Sequence, residues 1–212
     1  PRYNSKVQEA IFSSLFPKHP YGTQTVLGTQ ENLKNPSITN IKNYYKQWYV
    51  PNNMAICMSG DLDPDATIAL IDKYFGGLKP NPELPKLDLP KEAPITQPVV
   101  KEVLGPDAES VALAWRFPGV SDKDFEILQV VSQVLYNGKA GLIDLDLNQQ
   151  QKVLNSYGYP MGLADYSALL LGGLPKQGQT LEEVKDLLLS EIKKLRAGEF
   201  DEKMLEANIN TV

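Results

Sequence analysis

Six prolines, Pro80, Pro82, Pro85, Pro90, Pro94 and Pro98, fall within residues 79–98. Each fixes its own φ, removes a backbone donor and pushes the preceding residue out of the α region, so this stretch can run neither as a helix nor as an inner strand. With lysines, acids and a few leucines between the prolines, it reads as an extended, semi-rigid connector. The chain is therefore expected to fold as two portions, 1–79 and 99–212, joined by a linker over 80–98. A chain of 212 residues can bury about 70% of its unfolded surface, enough for one large core or two adjoining smaller ones.

Charge and thiol content narrow the partners. The net charge is −5 and the lysines are dispersed, so no basic field exists to neutralise phosphates, which argues against nucleic acid and anionic membrane. No apolar run approaches the ~20 residues that cross a bilayer. Cys57 is the one cysteine; an intramolecular disulfide is impossible, and its place in the apolar run 54–58 predicts a buried thiol. A single thiol does not fix the compartment, which stays open. Pro1 is not an initiator and residues 209–212 carry no helix stop, so both ends read as interruptions of a longer polypeptide.

In the first portion, Val7, Ala10, Ile11, Ser14 and Leu15 recur at helical spacing up to Pro17. The segment His19-Pro20-Tyr21-Gly22 is turn chemistry, followed by a short extended piece over 25–28 and a loop. Ser37 is the expected N-cap of a helix whose Ile38, Ile41, Tyr44 or Tyr45, and Trp48 form one apolar face before Pro51 stops it. Residues 54–59 are short and continuously apolar, as expected for a strand covered on both faces. Asp63-Pro64 then supplies an N-cap and a proline at the first helical position, and Gly76-Gly77 ends that helix.

The second portion begins with two strand-like runs, 99–104 and 111–117, joined through Gly105-Pro106-Asp107. A helix is expected from Ser121 or Asp122 to Asn137-Gly138, with Phe125, Leu128, Val131, Val134 and Leu135 inward. A shorter helix is expected within 139–151, and strands over 153–159 and 167–171, separated by Pro160 and Gly162. Thr180 with Glu183 is a capping box opening a helix whose core stripe is Leu181, Val184, Leu187, Leu188, Ile192 and Leu195, closed by Gly198. Another helix starts near Phe200. Residues 55–78 and 168–195 each pair a short apolar strand with an amphipathic helix, which suggests two distant copies of one fold.

Chemistry-bearing residues are sparse. His19 is the lone histidine and, beside proline, reads as a loop residue. Asp61, Asp63 and Asp65 imitate a calcium cluster but lack the loop glycine and the bidentate glutamate, so capping accounts for them better. Trp48, Tyr44, Tyr45 and Tyr49 have the helical spacing of core packing rather than of a stacking site. Gly172-Gly173 and Gly76-Gly77 lack any phosphate-loop lysine and read as turns. With one imidazole, a Ser-His-Asp or Cys-His arrangement would have to centre on His19, which has no elbow or oxyanion signature beside it.

Taken in order, HPYG at 19–22, GTQENL at 28–33, WYVPNNM at 48–54 and GDLDPD at 60–65 resemble the pitrilysin and insulinase family of zinc metallopeptidases. Nearly the whole chain fits, down to a final helix pair resembling LEEV…FDEKMLEA. The resemblance implies an α+β fold of paired α/β rolls, each a mixed sheet against helices, two halves of which enclose a peptide chamber. The first portion then corresponds to the rear of one family domain and the second to most of the next, of the non-catalytic C-terminal type.

The family's zinc is held by an inverted H-x-x-E-H helix and a later glutamate. No such motif occurs here, and by the resemblance both precede the residue aligned with Pro1. The family's substrate-binding arginine and tyrosine, in a segment resembling L-x-E-K-R-G-L-A-Y, have no counterpart in residues 147–154, where the arginine is absent. No catalytic, cofactor-binding or metal-binding residue is therefore assigned. The expected function is a non-catalytic portion of a zinc metalloendopeptidase, with zinc held in the parent protein and none in this chain. Its expected partners are peptide substrate and the remaining domains of the fold, or a homologous subunit. The alternative is part of an inactive family member serving as an assembly or peptide-binding subunit; an intact or degraded H-x-x-E-H upstream separates the two.

Overall fold

Cap chemistry sets most of the element ends. The computed structural model describes residues 3–209. In chain order these form α1 (Tyr3–Leu15), α2 (Pro20–Thr23), α3 (Gln30–Lys34), α4 (Ile38–Trp48), α5 (Pro64–Phe75), β1 (Val111–Pro118), α6 (Lys123–Leu135), β2 (Asn155–Gly162), β3 (Tyr166–Leu174), α7 (Leu181–Ala197) and α8 (Glu202–Ile209). Helical turns of non-α geometry lie at Pro51–Asn53 and Asp144–Asn148. Any stop for α8 beyond Ile209 lies outside the described residues. Contacts gather the chain into two compact units, Lys18–Glu92 and the described residues of Pro1–Pro17 with Ala93–Val212.

The larger unit is α+β, and its sheet runs β1-β3-β2 with both pairings antiparallel. On one face Leu169 and Leu171 of β3 meet Leu128 and Leu135 of α6 and Val184 and Leu188 of α7, with Leu113 and Trp115 of β1 packed alongside. Leu142, Ile143, Leu147 and Val153 close the same core. Toward the other face, α1 contacts β1, and the Phe16 ring lies 5.6 Å from that of Tyr166. The Arg116 guanidinium donates to the Leu15 and Ala93 carbonyls, so a strand residue ends a helix that has no glycine cap of its own.

Every residue of β3 is buried except its two ends, as a central strand requires. Gly172 and Gly173 lie inside it, not in a turn as the sequence suggested. A Cβ on Gly172 would collide with the Tyr157 ring, and one on Gly173 would come within 2.5 Å of Val184 Cγ1. The glycines therefore let α7 and the cross-strand tyrosine approach the sheet. Pro160 also lies within a strand rather than between strands, paired with Leu169. This is permitted because β2 is a sheet margin, where a missing donor costs no ladder bond.

Helix α7 follows its sequence signals closely. Thr180 Oγ1 accepts from Glu183 N at 3.2 Å while Glu183 Oε2 accepts from Thr180 N at 2.8 Å, and Gly198 closes the helix in the left-handed region at φ 73°. Asp122, Ser37 and Asp63 cap α6, α4 and α5 as expected.

The smaller unit departs from expectation. Residues 54–59 form no strand, and neither do 99–104 of the larger unit. Residues 25–28 are not extended but make a turn, with Gly28 N donating to Thr25 O at 3.0 Å, and the expected loop after it holds the short helix α3, capped by Thr29. The physical reason for the missing strands is non-local: an apolar run becomes a strand only when another strand lies beside it. The expected likeness between 55–78 and 168–195 thus fails at its strand, which is built only in the second copy.

Replacing Gly173 with alanine should lower the urea midpoint by the equivalent of about 1–3 kcal/mol without changing the m-value, because Val184 is β-branched and cannot swing aside. An unchanged midpoint would show that α7 has room to withdraw from β3.

Candidate functional site

The residues singled out by their chemistry do not converge. His19 is buried at 1% exposure, and its Nδ1 accepts from Tyr21 N at 3.3 Å as the N-cap of α2. Its ring meets that of Tyr21 edge-on with centroids 4.2 Å apart. Its backbone N–H, with that of Lys18, donates to Glu92 Oε1 at 2.6 and 2.7 Å. Asp63 Oδ1 accepts from Ala66 N at 2.9 Å, the capping role expected of it.

Two expectations are corrected. Cys57 is exposed, not buried, because the strand meant to bury it is not formed. Tyr44, Tyr45 and Tyr49 are also exposed rather than in a core; they pack along the helix instead, Tyr45 stacked on Tyr49 at 4.7 Å and Tyr44 tilted against Trp48 at 6.1 Å.

A catalytic zinc needs three protein ligands converging on one point. Among the described residues no three His, Cys, Asp or Glu side chains come together in a way that could hold a metal ion. The donor set of the described residues thus does not fit zinc, and no catalytic step is assigned through it.

The polar residues that do converge were not foreseen. Lys194 Nζ lies 2.6 Å from Asp146 Oδ2 and 2.9 and 3.1 Å from the two oxygens of Glu191, which also accepts from Ser190 Oγ at 3.2 Å. One ammonium therefore bridges two carboxylates. Glu191 is 1% exposed, and its desolvation pushes its carboxyl above the usual range, only partly opposed by Lys194. Asp146 is more open, and the Lys194 hydrogen bond holds it below its usual value; the same bond raises Lys194. The signal was available in the sequence: Glu191 interrupts the stripe of Val184, Leu188 and Leu195 at a position where an apolar residue belongs.

Beside this cluster, Asn148 clamps the margin of the sheet. Its Oδ1 accepts from Ser156 N and Oγ, each at 2.8 Å, and its Nδ2 donates to Ser156 O at 2.8 Å. A side-chain amide thus imitates a neighbouring strand. Asp144 Oδ2 accepts from Asn137 N and Gly141 N, both at 3.0 Å, and holds the loop after α6. Asn148 is therefore engaged in structure. A shallow groove on α7 lined by Gln179, Glu183, Asp186, Leu187 and Ser190 offers little more: Gln179 is bonded to Lys176 and Lys152, Glu183 to Thr180 and Ser190 to Leu187.

The family described as the peptidase M16 inactive domain matches residues 37–212. The zinc protease PqqE of Helicobacter pylori is 26% identical over 92% of this chain and 45% of its own length. A solved protease from Helicobacter pylori has a TM-score of 0.81 and 24% identity, covering 98% of this chain and 51% of that one. The solved first half of the periplasmic protease PqqL from Escherichia coli has a TM-score of 0.65 and 18% identity, over 99% of this chain and 45% of that one. This chain thus spans about half the length of each. No helix among the described residues is long and apolar enough to cross a membrane.

Two substitutions read the converging groups. Asn148→Ala should cost about 1–3 kcal/mol of stability by leaving Ser156 N and O without partners, and Asn148→Asp, which keeps the acceptor, should recover part of it. For Glu191, a folded-state value above the unfolded one means that the native protein holds the proton longer. Its contribution is full at low pH and is lost as pH rises from 4.5 through the raised value. Asp146 acts the other way, its contribution present above 3.8 and lost as pH falls through the lowered value. Glu191→Gln should therefore gain on the parent as pH rises above 4.5, seen as a changing difference in urea midpoints; a constant difference would show Glu191 ionising like an exposed carboxylate.

Proposed function

Because this chain belongs to the peptidase M16 inactive-domain family, we propose that it is a non-catalytic portion of a zinc-dependent metalloendopeptidase that helps enclose peptide substrates. The match over residues 37–212 carries this reading, and a single imidazole in the whole sequence supports it. In this reading, residues 1–79 are the rear of one peptidase-like domain, 80–98 the connector, and 99–212 a second, structural domain. Zinc belongs to the parent protein, on ligands outside this chain. The partners are peptide substrate and the remaining domains of the fold, or a homologous subunit.

The chain's own residues supply scaffolding rather than bond-making groups. The Asp146–Lys194–Glu191 bridge ties α7 to the turn at Asp144–Asn148, and Asn148 ties that turn to β2. A wall of the proposed chamber must keep its shape while peptides enter and leave, and a network of this kind provides that rigidity.

The purified chain, dialysed against zinc, should retain far less than one equivalent by elemental analysis and should not cleave unfolded fluorogenic peptides in a chelator-sensitive manner. One tightly held zinc per chain together with cleavage abolished by chelator would overturn the proposal.

A further inference from the structure

Asn137-Gly138 is the one Asn-Gly pair in the sequence, and it stands just beyond the end of α6. A helix leaves its last carbonyls without intrahelical partners. Here Tyr136 N still donates back to Ser132 O at 2.8 Å, but Asn137 N turns away to Asp144 Oδ2 at 3.0 Å. The Gln133 carbonyl thereby loses the backbone donor due to it, and the Asn137 side chain replaces that donor, with Nδ2 3.1 Å from Gln133 O. At the other end of the same amide, Oδ1 accepts from Lys139 N at 3.0 Å and Ala140 N at 2.8 Å. One side chain thus caps α6 and folds the loop that leads to the core residues Leu142 and Ile143. No basic residue stands in the last turn of α6 to share that task.

The same amide is placed for attack by its neighbour. Gly138 is exposed, has φ 78°, and would meet nothing within 4 Å of an added Cβ. Its N–H enters no hydrogen bond among the described residues, so the nitrogen is open to solvent base and unshielded by any side chain of its own. Charge develops on Oδ1 when that nitrogen adds to Cγ, and Oδ1 already faces two backbone N–H groups, the arrangement that stabilises an oxyanion.

We propose that Asn137 is a site of spontaneous deamidation, with water as its co-reactant, and that its conversion uncaps α6 and loosens the loop over 136–141. The Gly138 nitrogen, having given its proton to solvent, bonds to Asn137 Cγ. The Cγ–Nδ2 bond breaks, and its nitrogen takes a proton from solvent and leaves as ammonia. One water then opens the resulting succinimide at either carbonyl, leaving aspartate or isoaspartate, with nothing oxidised or reduced. Each product carries a carboxylate in place of the amide that donated. The Gln133 carbonyl loses its donor, and negative charge is added at the helix end that already bears the negative pole. The Asp144 carboxylate, which holds Asn137 N and Gly141 N, lies in the same loop and adds a like charge.

The test is to incubate the chain at mildly alkaline pH, folded and separately unfolded in urea, and to follow the conversion of every asparagine by peptide mass. In the folded chain, conversion at Asn137 should outpace that at all other asparagines, Asn155-Ser156 included. In the converted chain and in Asn137→Asp, the amides of Lys139, Ala140 and Gly141 should exchange with solvent about 10-fold faster than in the parent, the equivalent of a lost hydrogen bond and a charge at the wrong helix end. Asn137→Ser cannot deamidate, keeps an acceptor for the loop and adds no charge. It should show a smaller acceleration, and the gap between it and Asn137→Asp should narrow in high salt. Persistence of Asn137 in the folded chain while the unfolded chain converts it would overturn the site, showing that the three hydrogen bonds lock the amide. Exchange that is unchanged in Asn137→Asp, or that is equal for the Asp and Ser variants at low salt, would overturn the uncapping. Should Asn137→Asp not fold, parent chain converted after folding supplies the same comparison.

Discussion

An apolar segment held extended is stable when its two faces are covered and its two edges hydrogen-bonded, and in β3 Leu169 and Leu171 on one face and Ala168 and Leu170 on the other are all buried. Strands β1 and β2 take its edges, and α6 and α7 cover one face. The other features of the larger unit serve that placement. Gly172 and Gly173 thin the strand where Tyr157 and Val184 approach. The Thr180 capping box and Gly198 fix the length of the helix above it, and the Arg116 guanidinium, reaching from β1, ends α1. Burial of large side chains at about 25 cal/mol per Å² is the driving term, and each of these devices allows the closer approach that realises it.

The helices were legible because their signals are local. Ser37, Asp63, Asp122 and Thr180 each sit one residue before the helix they cap, and in the structure each accepts the expected backbone bond. Strands were legible only where the chain itself contains the partner. The runs 54–59 and 167–171 look alike in sequence, but one is in solvent and the other is the most buried segment of the protein. What separates them is the presence of neighbours, which no window of sequence encodes. The same holds for Cys57, whose apolar surroundings predict burial only if something arrives to cover them. Gly172 and Gly173 misled for the opposite reason: a glycine pair marks a turn by conformational freedom or a close approach by its missing side chain, and here the second applies.

Membership of the peptidase M16 family through its inactive domain accords with where the chain invests its charged groups. A peptidase site would gather imidazoles and carboxylates around an open position. This chain instead gathers Asp146, Lys194 and Glu191 around one another, Lys194 paired with both carboxylates. A bridge of this kind ties α7 to the turn before β2, and removing Lys194 would leave the buried Glu191 uncompensated. The sequence held the clue in Glu191, a charge on an apolar stripe, although its partners lie on two different segments.

The sheet's two margins are unlike. Along β2 the backbone is obstructed, since Pro160 offers no N–H and the outward groups of Ser156 are already engaged by Asn148. Along β1 the proline, Pro118, stands at the strand's last position. A strand arriving on the β2 side would have to displace the Asn148 amide from Ser156 and lie against a residue with no N–H to offer, which turns that margin away from edge-to-edge pairing.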